Sequence, residues 1–284
     1  MKFRTKQRKV LLAVFIIVGL YAFFKWQNDS IVISEMVFKN DGVTESFDGY
    51  KILHISDLHN KEFGSNQNRL LSKIEMTDPD IIVITGDLID SNHTDIDVAM
   101  ELINGAITIA PIYYVSGNHE ASSGLYSNLK SKMENVGVVV LDDQKIEVFH
   151  GNESIDIIGL LDPTFSGSDS LEYGDDTEIL NLLNTLSEDN TNLKILLSHR
   201  TELFDLYSDS DVDLIFSGHA HGGQFRLPFI GGLFAPGQGF FPELTEGIHT
   251  RNNVSMIISR GLGNSIVPVR IFNRPELIVV TLTK

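Results

Sequence analysis

At 284 residues, with 42% hydrophobic and 9% aromatic content, the chain can fill one large core and is not a disordered protein. It contains no cysteine, which excludes disulfides, thiolate metal sites and cysteine nucleophiles, so any metal must be held by nitrogen and oxygen. Net charge is −16, and six of the 22 basic residues precede Trp26 with no acid among them; the remainder carries 16 basic against 38 acidic residues and lacks the basic footprint of a nucleic-acid binder.

Residues 1–9 are a basic leader, followed by an unbroken apolar run from Val10 to Phe24 that Lys25 and Trp26 close. As a helix that run spans about 23 Å, short of the ~30 Å hydrocarbon core. Lys9 and Lys25 can snorkel and Trp26 can sit at the interface, which extends the usable length. A cleaved secretory signal would need a small-x-small site, and Ala22-Phe23-Phe24-Lys25-Trp26 offers none. Residues 10–26 therefore read as an uncleaved signal anchor, with residues 1–9 cytoplasmic and the rest extracytoplasmic by the positive-inside rule, so that the chain belongs to the cell membrane as a single-pass protein.

Residues 27–49 read as a tether running into an edge strand, and residues 50–284 as one domain. Leu70, Leu71 and Ile74 form a helical stripe that stops before Asp78-Pro79. Helices are expected over Ile96 to Ile107, Leu125 to Val136 and Thr177 to Leu186, with a strand at Val138 to Leu141. Lys145 to His150 and Ile155 to Leu161 suggest a hairpin across Gly151-Asn152. Residues 229–242 mix turn residues with four phenylalanines and read as a packed loop walling a site. Val254 to Ser259 and Leu277 to Leu282 read as closing strands. No internal repeat or low-complexity tract is present.

Five short apolar runs share one grammar. Ile81-Ile82-Val83-Ile84-Thr85 stops at Gly86-Asp87, and comparable runs end in Ser56-Asp57-Leu58-His59, Gly117-Asn118-His119, Ser198-His199 and Gly218-His219-Ala220-His221. Runs of this kind are buried strands, and open α/β sheets place ligands beyond their carboxyl ends. One such ending is an ordinary turn; five drawing on Asp, Asn and His point to a convergent metal site. Asp57 and His59 at i and i+2 of an extended segment can share an ion, as can His219 and His221. With Asp87, Asn118 and His199 the donors exceed what one ion accepts, which argues for two ions with a shared ligand. Carboxylate, amide and imidazole suit manganese, iron, zinc or cobalt better than calcium or magnesium. Two such ions would activate a bridging water and clamp a phosphoryl oxygen, the chemistry of phosphoester hydrolysis.

The order Asp-x-His, Gly-Asp, Gly-Asn-His-Glu, His, Gly-His-x-His resembles the calcineurin-like metallophosphoesterase family. His199-Arg200-x-Glu202, Gly218 to Gln224, Arg260-Gly261-Leu262-Gly263 and Arg274-Pro275-Glu276 further resemble a bacterial subgroup of membrane-associated phosphodiesterases, with Thr201 and Ala220 standing where that subgroup favours proline and threonine. The resemblance implies an α/β fold, a two-sheet sandwich flanked by helices in four αββα layers. It implies that Asp57, His59, Asp87 and His221 hold one metal and Asp87, Asn118, His199 and His219 the other, with Asp87 as bridge. It also implies that His119 is a general acid for the leaving oxygen, with Glu120 or Asp90 as candidate partners. The implied activity is hydrolysis of a phosphoester, a phosphodiester being favoured.

The plainer readings stand beside these. His54, in mid-strand, suits a core histidine with a satisfied hydrogen bond, while His93, His150 and His249 read as surface residues and Asp162 before Pro163 as a turn acid. The alternative from another class is a membrane-tethered, non-catalytic metal-binding or sensing protein on the same fold, and the retention of all eight site positions argues against it. The phenylalanines after His221 and the anchor together suggest a substrate with a phosphoester near the membrane surface and an apolar portion, such as a lipid headgroup or envelope-polymer precursor.

Overall fold

The structure, a computed structural model, describes residues 2–167, 176–188, 191–264 and 267–284. In chain order the main elements are α1 (Lys2–Asp29), β1 (Val32–Lys39), β2 (Lys51–Ile55), α2 (Asn68–Thr77), β3 (Ile81–Thr85), α3 (Ile96–Ala106), β4 (Ile112–Val115), α4 (Asn118–Ser123), α5 (Tyr126–Asn135) and β5 (Val139–Val140). There follow β6 (Gln144–His150), β7 (Glu153–Gly159), α6 (Asp176–Ser187), β8 (Lys194–Leu197), α7 (Phe204–Tyr207) and β9 (Leu214–Ser217). Four two-residue strands, β10 (Arg226–Leu227), β11 (Gly231–Gly232), β12 (Phe234–Ala235) and β13 (Gly239–Phe240), precede β14 (Gly247–Arg251), β15 (Val254–Ile258) and β16 (Glu276–Thr283).

Two six-stranded sheets, ordered β1-β16-β2-β3-β4-β5 and β14-β15-β9-β8-β7-β6, lie face to face. The runs β2-β3-β4-β5 and β7-β8-β9-β15 are parallel, which turns the carboxyl ends of both sets toward one edge. Their β-branched interiors explain the choice of strand: β2, β3, β4, β8 and β9 are buried on both faces, as parallel strands sandwiched between layers must be. Ile52, Val83, Ile195 and Phe216 fill the space between the sheets. Leu70, Ile74, Leu102 and Leu129 pack helices α2, α3 and α5 on the outer face of the first sheet, and Leu183, Phe204 and Tyr207 cover the second. The four-layer αββα sandwich is the expected fold.

The apolar helix at the N-terminus is long enough to cross a membrane over Lys6–Asp29, and almost none of it is buried against the domain. Only Ser30 and Ile31 separate it from β1, which pairs along its whole length with β16. The strand β14, an alternating and half-exposed edge strand, has no counterpart in the elements expected from sequence. The loop over residues 229–242 differs from a packed loop. Ala235 is buried, but Phe229, Phe240 and Phe241 stand exposed on two tiny hairpins.

Candidate metal centre

The turns at the common carboxyl edge bring all eight sequence-predicted residues together. Asp57 and His59 follow β2, Asp87 follows β3, Asn118 and His119 open α4 after β4, His199 follows β8, and His219 and His221 follow β9. Asp57, His59, Asp87, His219 and His221 all have positive φ, from 48° to 65°. Non-glycine residues occupy that region at a cost and keep it only where the surroundings over-determine it. Gly86, at φ 83°, lets two turns meet backbone to backbone, since a side chain there would stand 2.5 Å from the Gly117 nitrogen.

Glu120 fastens the same turns. Its buried carboxylate accepts the N–H groups of Asp87 and Gly117, each at 2.7 Å, and of Ile89 at 3.2 Å. Burial and the neighbouring Asp87 push its pKa up to about 7 in spite of those three donors. Among the described residues no hydrogen bond or ion pair joins its side chain to that of His119, so Glu120 acts as a structural staple.

Two groups of ligand atoms share Asp87: one is Asp57, His59, Asp87 and His221, the other Asp87, His199 and His219. Asp87 Oδ2 lies 3.1 Å from His199 Nε2 and 3.5 Å from His59 Nε2, while Oδ1 accepts the His119 N–H at 2.9 Å. In the first group His221 Nε2 lies 3.2 Å from Asp57 Oδ1 and 3.1 Å from His59 Nε2. In the second, His199 Nε2 lies 3.1 Å from both Asn118 Oδ1 and His219 Nδ1. His199 Nδ1 donates to the Thr85 carbonyl at 2.6 Å, which leaves Nε2 aimed at the centre.

Without metal, protonated imidazoles balance the carboxylates of this cluster. Burial opposes protonation of every ring, yet Asp87 and Asp57 hold His199 up at about 10, and Asp57, Asp90 and Asp87 hold His59 up at about 9. Burial prevails at the other two, taking His221 down to about 3 and His219 well below the usual range. Asp57 and Asp87 stay well below the carboxylate range against their burial, because imidazoles surround them. Buried nitrogens 3.1 Å apart cannot satisfy one another without a shared proton, and the buried Nδ1 atoms of His59 and His221 find no hydrogen-bond partner among the described residues. Two divalent cations fit this set: the donors are buried nitrogen and oxygen atoms, and a carboxylate stands between them.

His119 sits at the rim, edge-on to His59 with ring centroids 4.5 Å apart. Its Nδ1 accepts the Ser91 N–H at 3.0 Å, so the neutral ring keeps its proton on Nε2. Burial lowers its pKa. Asp90, the other suggested partner, stands 3.9 Å from Nδ1, beyond hydrogen-bond distance, yet its charge opposes that lowering. Asp162 is more than a turn acid. It is buried and grips Arg200 through Nε at 2.7 Å and Nη2 at 2.9 Å, and Arg200 Nη1 lies 3.1 Å from His219 Nε2. His54 is the core histidine expected, 2.8 Å from Thr85 Oγ1. His93 and His150 are exposed and His249 is half-buried.

A family profile described as calcineurin-like phosphoesterase matches residues 50–223. Over 93% of its length the chain is 29% identical to YkuE of Bacillus subtilis (strain 168), described as an uncharacterized metallophosphoesterase, and it covers 90% of that protein. It is 24% identical to the phosphodiesterase YaeI of Escherichia coli (strain K12), with 82% of each chain covered. Among solved structures, TT1561 of Thermus thermophilus shares the fold at a TM-score of 0.51 and 13% identity, over 75% of this chain and 90% of that one. Motif order, sandwich fold and family profile agree, and the chain belongs to the calcineurin-like phosphoesterase family of metal-dependent hydrolases.

Proposed function

We propose that this protein hydrolyses a phosphoester, a phosphodiester in preference to a monoester, at the extracytoplasmic face of the cell membrane. Residues 1–9 are then the cytoplasmic leader, residues 10–26 the signal anchor, and the domain from residue 50 the hydrolase. The observation that carries the reading is the position of the Asp87 carboxylate, within 3.5 Å of an imidazole from each donor group. Asp57, His59, Asp87 and His221 would hold one ion, and Asp87, Asn118, His199 and His219 the other. Manganese, iron, zinc and cobalt all suit these donors.

The bound ions supply Lewis-acid stabilisation of the phosphoryl oxygens and acidify water for attack. The chain's own residues do the rest. Asp87 would hold the two cations together against their repulsion, and the Thr85 carbonyl orients His199 so that Nε2 faces the site. His219 would offer Nδ1 to its ion, while its Nε2 faces Arg200 Nη1 at 3.1 Å and the Glu202 carboxylate at 3.6 Å. His119 is the proton donor. The Ser91 N–H occupies its Nδ1, which leaves the Nε2 proton to meet the leaving oxygen.

The natural substrate on this reading carries its phosphoester near the membrane surface, as a lipid headgroup or a lipid-linked envelope precursor does. The 284-residue chain loaded with manganese should contain two ions per chain and hydrolyse bis-p-nitrophenyl phosphate faster than p-nitrophenyl phosphate. A chain that binds metal but is inactive with every divalent cation would instead be a non-catalytic binding or sensing protein.

A further inference from the structure

The end of the domain from which α1 emerges is set by strand direction. β1 runs parallel to β16 with Val32 opposite Glu276, and β16 runs antiparallel to β2 with Ile278 opposite His54. The start of β1 therefore lies beside the end of β2, so the apolar helix leaves from the carboxyl edge that carries the metal-binding turns. The exit is rigidly fastened. Lys61, two residues beyond His59, donates to the Asn28 carbonyl; Asn28 Oδ1 accepts the Arg270 N–H at 3.1 Å; Arg274 donates to the Ser30 carbonyl at 3.0 Å and stacks over Trp26 at 4.8 Å.

A continuous aromatic surface runs from the helix along the same edge. Phe23 of α1 meets Phe272 with ring centroids 5.8 Å apart, and Phe272 lines a cleft with Leu227 and Phe229 at the tip of the β10-β11 hairpin. Phe229 is fully exposed, and Phe240 and Phe241 are 78% and 68% exposed. Phe229, Phe241 and Phe272 have φ of 69°, 56° and 51°, a region costly for bulky side chains. The hairpins are stitched to the metal centre: Leu233 donates to the Gly223 carbonyl at 3.1 Å, and Asn273 donates to the His221 carbonyl at 2.7 Å. Gly223 and Gly232 touch so closely that neither has room for a side chain. Lys25, Arg69 and Lys73 line a cleft of 550 Å³ with Tyr21, Trp26 and Asp29, the last paired with Lys25 at 3.1 Å, so that two of the three cations are left over among the described residues. Cations beside interfacial aromatics match an anionic headgroup layer, where the rest of this acidic domain would be repelled.

We propose that the carboxyl edge docks onto the phospholipid bilayer, with Phe229 at the tip of the β10-β11 hairpin, Phe240 and Phe241 at the open end of the β12-β13 hairpin, and Phe272 entering the leaflet from which α1 emerges. The metal cluster then faces the headgroups, and a lipid-borne phosphoester reaches it without leaving the membrane. This rests on α1 crossing that membrane.

Because the chain has no cysteine, single labels are clean. Spin labels at Phe229→Cys, Phe240→Cys and Phe272→Cys would be compared in the full chain with Ile17→Cys in α1 and Phe149→Cys. Phe149 is 66% exposed and lies next to the β6-β7 turn, at the opposite edge of the sheet. The protein is reconstituted in phosphatidylcholine–phosphatidylglycerol vesicles, and relaxation by oxygen, enriched in lipid, is measured against relaxation by a water-soluble nickel chelate. The loop labels should behave like Ile17→Cys and unlike Phe149→Cys. If the labels at 229 and 240 are as open to nickel as the one at 149 while Ile17→Cys lies in lipid, the docking surface falls and the anchor stands. Nickel access at Ile17→Cys would remove both, and loop labels shielded from both reagents would mean a protein covers the patch and overturn the proposal.

Discussion

Glu120 accepts the backbone N–H of Asp87 at 2.7 Å, so the residue shared by the two candidate donor groups is held in its left-handed turn by a buried carboxylate. In Glu120→Gln one of the three backbone donors must face an amide N–H. An unsatisfied buried donor costs about 1–3 kcal/mol. The variant should have a lower Tm without metal and lose affinity for both ions together. An unchanged Tm with unchanged metal affinity would show that the staple is dispensable.

Asp87→Asn and Asp57→Asn should separate the two donor groups. Both residues have φ 53°, a conformation asparagine tolerates, so neither change disturbs the turn. Asp87→Asn should lose both ions in large part, and Asp57→Asn mainly one, by elemental analysis after gel filtration. Equal metal content in the two would remove the argument for a bridge.

His119→Ala should retain its metals and lose turnover by ~10²- to 10⁴-fold, the usual cost of removing a general acid. The loss should shrink for esters with good leaving groups, which need little protonation. Loss of metal instead would make His119 a ligand.

Proton release gives a test that needs no substrate. His59 and His199 are raised from an ordinary 6.5 to about 9 and about 10, so at neutral pH the metal-free cluster carries protons that incoming cations must displace. Those raised values stabilise the metal-free fold fully below pH 6.5, and the contribution is lost as pH rises through 9 and 10. Loading at pH 7 should release roughly two protons per pair of ions, and apparent affinity should rise with pH toward 10. Calorimetry in two buffers of different ionisation heat measures the release; none at pH 7 would refute the charge pattern.

The site was legible in the sequence because each ligand ends an apolar run, and parallel strands deliver such endings to one edge. What sits behind the ligands was not. The Asp162–Arg200 grip and the Ser91–His119 hydrogen bond join residues 38 and 28 positions apart, and no spacing rule says which acid or amide will face which side chain. Likewise Phe229, Phe240 and Phe241 suggested a packed loop, because composition does not reveal that these side chains point away from the core. The β1-β16 pairing was also invisible, yet it sets the edge from which α1 departs.

The central claim is that Asp87 joins two metal ions in one centre. Electron paramagnetic resonance of the fully manganese-loaded chain tests it most directly, because a bridging carboxylate couples the two spins. The wild type should show an exchange-coupled dimanganese spectrum that gives way in Asp87→Asn to the signal of isolated ions, whereas a wild type showing only isolated ions at full loading would contradict the bridged centre.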